Sequence, residues 1–185
     1  MRYLRLYLNF LRFSFSRAME FRLDFSFRIL MDIVFYAVNI ALYTVIYRHT
    51  DLVGDWSYEQ ILVFISGAFI IDAVQMTVFA NNMWMLPNHV NKGDLDYYLV
   101  RPVNSMFFLT LRDFAANSFV NLLVAGGFWV WAINNYSGEW NWGLAALHMI
   151  FILNGALLYS LMMFIFIIPV FWSPGSRGLW SMFWN

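Results

Sequence analysis

The chain has 185 residues, of which 62% are hydrophobic and 12% charged, and its formal net charge is zero. An ordinary soluble domain is about half apolar and about one quarter charged. A chain this short cannot bury such an apolar excess within itself, so a soluble enzyme is excluded and lipid is the natural solvent. Cys is absent, which removes disulfides and thiolate metal sites.

Residues 3–27 mix aromatics and Leu with spaced Arg. At about 100° per residue, Arg2, Arg5, Asn9, Arg12, Ser16, Arg17, Glu20, Asp24 and Arg28 share one half of a helical wheel. Leu4, Leu8, Leu11, Phe15 and Leu23 take the other half, and Arg22 breaks the pattern. This predicts a basic amphipathic helix in the headgroup region, with Arg5, Arg12 and Arg17 at the membrane interface. No short apolar core with a small-residue cleavage site accompanies these Arg, so a signal peptide is not expected.

Four apolar stretches follow, at about 29–47, 60–80, 105–133 and 143–171. Each supplies the ~20 residues needed to cross the hydrocarbon core. Ser173-Pro174-Gly175 reads as a turn, and a fifth helix starts near 179. The chain ends there, and is expected to be a fragment or to continue in nature, with C-terminal spans missing. Seven Trp (Trp56, Trp84, Trp129, Trp131, Trp140, Trp142 and Trp172) fall at or near the expected helix ends, as in an aromatic belt. The fold class expected is all-α: a polytopic transmembrane helical bundle with an N-terminal interfacial amphipathic helix, in one domain over 1–185.

Arg and Lys set the orientation. Six Arg precede the first span, Lys92 and Arg101 lie between the second and third, and Arg177 follows the fourth. The alternate loops hold Arg48 among Asp51, Asp55 and Glu59, and then Glu139 alone. The N-terminus is therefore expected in the cytoplasm.

Residues 86–104, LPNHVNKGDLDYYLVRPVN, form a cytoplasmic loop with structure of its own. Pro87 suits a first helical turn, and Gly93 a left-handed stop. Asp94 is placed to cap a second short helix that Pro102 ends. Leu95, Tyr98 and Leu99 share one face of it. Such an element either presents a rigid surface to a cytoplasmic partner or lies on headgroups, and spacing leaves both open.

The run Gly93-Asp94-Leu95-Asp96-Tyr97-Tyr98-Leu99-Val100-Arg101-Pro102-Val103-Asn104 resembles the G-x-L-D-x-Y-L-x-x-P-x-N signature of a bacterial ABC transporter permease family in the type-two exporter group. Phe79-Ala80-Asn81-Asn82, Met106-Phe107-Phe108 and the Arg-rich opening helix are also similar to that family. The resemblance implies a subunit of the bacterial cytoplasmic membrane that pairs with a second permease subunit and docks a separate ATPase. It makes Gly93, Asp94, Leu95, Asp96, Tyr98, Leu99 and Pro102 the coupling segment, within a stretch, 86–102, that also holds Pro87 and Arg101. Members of that family usually have six spans.

The residues themselves exclude ATP hydrolysis by this chain. A phosphate-binding loop needs Gly-Lys-Ser/Thr, and the one lysine, Lys92, lies between Asn91 and Gly93. No metal spacing or serine elbow is present, His49, His89 and His148 are scattered, and neither a cofactor nor a nucleic-acid partner is expected. Polar residues within spans are functional by default. Asp72 either lines a pathway or meets Asn39 or Arg112, and Asp32 is expected to pair with Arg28. Arg112 should snorkel from the third span, beside Asp113, and His148 reads as a boundary residue. Gly67, Gly126, Gly127 and Gly155 permit close helix contact. Two alternatives stand beside the permease: a proton-coupled secondary transporter using Asp72 and Asp113, and a non-transporting membrane scaffold.

Overall fold

The computed structural model describes residues 2–20, 22–100, 102–139 and 141–172, with the side chains of Arg2 and Asn117 left aside. Arg101, Trp140, Ser173-Pro174-Gly175, Arg177 and the expected fifth helix lie outside the described residues. Helix dominates: α1 (Arg2–Glu20), α2 (Arg22–Tyr47), α3 (Tyr58–Val74), α4 (Asn81–Lys92), α5 (Leu95–Leu99), α6 (Ser105–Leu111), α7 (Ala116–Asn134) and α8 (Trp142–Ile167). A π-helical turn, Gln75–Ala80, joins α3 to α4, and a 3₁₀ turn, Ile168–Phe171, closes α8. Among the described residues the one β-type pairing is an isolated bridge between Val53 and Trp56. The chain is an all-α membrane bundle, as expected.

Helix α3 is the central post. Over the most apolar part of Tyr58–Lys92, 56% of positions are buried, against 6% in α2 and 28% in α8. Its start is set by a reciprocal cap. Gln60 N donates to Ser57 Oγ at 3.4 Å, and Ser57 N donates to Gln60 Oε1 at 2.9 Å, which satisfies two of the amides a helix leaves unpaired at its start. Asn141 caps α8 in one direction, accepting from Leu144 N at 2.9 Å.

The neighbours of α3 follow from which side chains meet. Tyr36 of α2 stacks on Phe69 with ring centroids 4.3 Å apart, and Thr44 shares a 2.9 Å hydrogen bond with Tyr58, so α2 runs antiparallel to α3. Helix α7 is antiparallel on another flank, with Leu62, Val63 and Ala132 in one cluster and Phe69, Ala73 and Ala125 in the next. Helix α8 runs parallel to α3, and small residues set that approach. A Cβ on Gly67 would stand 3.2 Å from His148 Nε2, and one on Gly155 would stand 2.7 Å from Ile71 Cδ1. Gly126 and Gly127 face open space, so their expected packing role is not met.

Two expected boundaries shift. The amphipathic segment ends at Glu20 rather than 27, and α2 begins at Arg22. There Arg28 Nε pairs with Asp24 at 2.8 Å, one turn back on the same face. Asp32 therefore does not take Arg28; it accepts instead from Asn121 Nδ2 of α7. The larger revision concerns the expected third span, which is not one helix: α6 stops at Leu111, and residues 112–115 separate it from α7.

Candidate functional site

The expected second span does not end at residue 80. It continues through the π turn and α4 to Lys92, a 35-residue rod that extends about 50 Å at 1.5 Å per residue. Pro87 lies inside α4 rather than in a first turn, and forgoes one backbone bond, to the carbonyl four residues earlier. Gly93 ends the rod as its pattern predicted, with φ 76° and ψ 7°, a left-handed stop that suits a residue without Cβ. Asp94 precedes α5 but makes no side-chain cap; its carboxylate lies 3.7 Å from His89 Nδ1 of α4.

Tyr98 fixes α5 from beneath. Its ring is buried, 5.5 Å from Phe108 of α6 and 5.2 Å from the His89 ring. Its hydroxyl accepts from Arg112 Nη1 at 2.6 Å. The guanidinium carbon of Arg112 stands 5.4 Å from the Tyr98 ring centre and 5.5 Å from that of Phe108, within cation–π range. Four segments thus meet at one aromatic and cationic knot. The outer side of α5 is open: Asp94, Asp96, Tyr97, Leu99 and Val100 are exposed, while Leu95 is half-buried. The expected shared face divides, with Tyr98 inward and Leu99 outward. Asn104 caps α6 by accepting from Phe107 N at 3.1 Å.

Residues 112–115 are non-helical backbone, with Phe114 and Ala115 buried, and buried backbone polar groups need partners. Asn82 Nδ2 donates to Asp113 O at 2.7 Å, and Asp113 N donates to Asn82 Oδ1 at 2.8 Å. Phe114 N donates to Ser14 Oγ of α1 at 3.2 Å. Ala115 N donates to Thr77 O at 3.0 Å, a carbonyl within the π turn, where widened hydrogen bonding loosens the i−4 ladder. Arg17 Nη2 pairs with the Asp113 carboxylate at 2.9 Å. Helix α1 adds edge-on ring contacts, Tyr3 to Phe107 at 5.1 Å and Phe10 to Phe108 at 5.4 Å. The break, the π turn and the amphipathic helix are one connected device.

The structure accordingly separates the proposed polar residues. Arg112 and Asp113 lie in the break, not within a span, with Tyr98 and Arg17 as partners. Of the three Arg expected at the membrane interface, Arg17 reaches this knot, while Arg5 and Arg12 are exposed on α1. Asn39 Nδ2 donates to Phe35 O of its own helix at 2.9 Å, so neither Asn39 nor Arg112 reaches Asp72, which is half-buried in α3. His148 is not at a boundary; it sits inside α8 and accepts from Trp129 Nε1 at 3.1 Å. Trp84, too, lies within the rod rather than at a helix end. Asn82 entered the sequence reading only within a family-like run and Ser14 not at all, because a lone amide or hydroxyl on a helix carries no local signal of the distant backbone it serves.

A bundle of apolar helices that mounts a short helix with an open outer side defines an integral membrane protein. The family model for ABC-2 family transporter proteins matches residues 33–183, and the chain belongs to that family. It is a permease component of an ABC transporter, not its nucleotide-binding subunit. No curated protein and no solved structure matches the chain.

Proposed function

We propose that this chain is the permease subunit of an ATP-driven exporter, paired with a second permease subunit in a bacterial cytoplasmic membrane, with its N-terminus in the cytoplasm. In this reading residues 86–102 take up the movement of a separate ATPase. The observation that carries it is the mounting of α5. The helix is exposed on one side, and on the other it is tied by Tyr98 to Arg112, the first residue of the break that the π turn and α1 both hold. A push on α5 is thereby delivered to the start of α7 through the knot, and to α3 through the rod, without compressing a flexible loop. Tight packing transmits displacement because interiors deform little. ATP binding and hydrolysis in the partner supply the free energy, and the path for substrate opens between the paired permeases.

The test replaces Asp94, Leu95 and Asp96 together by Ala and reconstitutes the complex with its ATPase. Transport is expected to fall at least tenfold while the partner still hydrolyses ATP. Full transport at normal membrane insertion contradicts the reading.

A further inference from the structure

A cleft of about 310 Å³ opens between α1 and α6, at the low end of the size range of small-ligand sites. Phe10, Phe13 and Phe108 form its apolar wall, and Arg17, Arg112 and Asp113 its polar one. Arg17 is matched by Asp113 at 2.9 Å. Arg112 donates to an uncharged phenol at 2.6 Å and lies against uncharged rings, and no carboxylate lies within ion-pair distance of it among the described residues. Two guanidinium groups against one carboxylate leave the cleft with a formal charge of +1. Phe13 of α1 is 67% exposed, so the apolar wall of the cleft is open to the surroundings of the helix.

We propose that this cleft binds the phosphate group of an anionic membrane lipid, with its glycerol and first methylenes on the phenylalanines. A guanidinium fork matches phosphate oxygens, the excess positive charge selects an anion, and the apolar wall adds nothing for a small soluble one. The lipid's phosphate sits on Arg112, the residue that also holds the Tyr98 hydroxyl, so occupancy bears on the mounting of α5. The site itself requires only that the chain is embedded in a bilayer, and stands whether or not α5 docks an ATPase.

The purified chain in neutral detergent is titrated with phosphatidylglycerol, phosphatidylcholine and inorganic phosphate, and bound lipid is counted by native mass spectrometry. Phosphatidylglycerol is expected to be retained over phosphatidylcholine, and not to be displaced by millimolar phosphate. Arg112→Gln should weaken its retention about tenfold, the effect of losing one charged hydrogen bond. Because Arg112 also braces Tyr98, Phe13→Glu serves as a second variant at an exposed position, and should repel the lipid while leaving the fold intact. Arg5→Gln, outside the cleft, should change nothing. Equal retention by all variants overturns the site, and displacement of lipid by inorganic phosphate reassigns it to a free anion and overturns the lipid.

Discussion

At the scale of single residues, Asn82 performs the work of a missing helical turn. Its amide closes two bonds with the backbone of Asp113, and Asn82 itself is 5% exposed, so water is a poor substitute. Asn82→Leu strands a donor and an acceptor, at about 1–3 kcal/mol for each unpaired group. The variant should melt earlier in detergent, with faster amide exchange at Asp113, Phe114 and Ala115 than within α7. Tyr98→Phe is the milder change: it keeps the buried ring and loses the Arg112 bond, and should cost about 1 kcal/mol while loosening α5. Sequence reached the positions of this site unequally. Gly93 declares its left-handed geometry by lacking a Cβ, and Tyr98 lies in a recognisable run, whereas Asn82 acquires meaning only when Asp113 is brought beside it.

At the scale of elements, the π turn Gln75–Ala80 sets the register between the buried post and the rod beyond it. Removing one residue there rotates everything that follows by about 100° and draws it back about 1.5 Å. Deletion of Val78 should therefore turn Asn82 away from Asp113 and release the break. The measurement is a cysteine pair at Leu86 and Leu109, which line the same pocket; it should cross-link in the parent and fail in the deletion. Helix α8 is positioned by glycine. Gly67→Leu would press on His148 and Ile152 and should destabilise the solubilised protein by about 1–3 kcal/mol, while Gly126→Ala, facing open space, should leave it unchanged. The spans were readable because apolar length is written locally. The division of residues 105–133 was not, since Arg112-Asp113-Phe114-Ala115 contains neither Pro nor Gly. That break is held by Ser14, Thr77 and Asn82, whose influence no local pattern reports.

At the scale of the whole molecule, composition alone indicated the solvent, and the arrangement agrees with it. Exposed Val34, Phe35, Val38 and Leu42 on α2, and Leu153, Leu157, Leu161 and Ile165 on α8, give surfaces suited to lipid or to another permease helix. Polar contacts mark both ends of the bundle. At one end Glu59 accepts from the Ser137 backbone at 2.8 Å, and at the other lies the knot around Arg112. With no native Cys, Asp55→Cys and Tyr97→Cys, placed at these opposite ends, should differ in intact cells. The impermeant maleimide should reach the first and spare the second until the membrane is opened. Contact between α5 and a motor subunit is the central claim, and a photo-reactive maleimide on Tyr97→Cys in native membranes tests it directly. A covalent adduct with the ATP-hydrolysing partner is predicted. A label at this position that captures no such subunit, while one on Asp55→Cys does, would contradict the account.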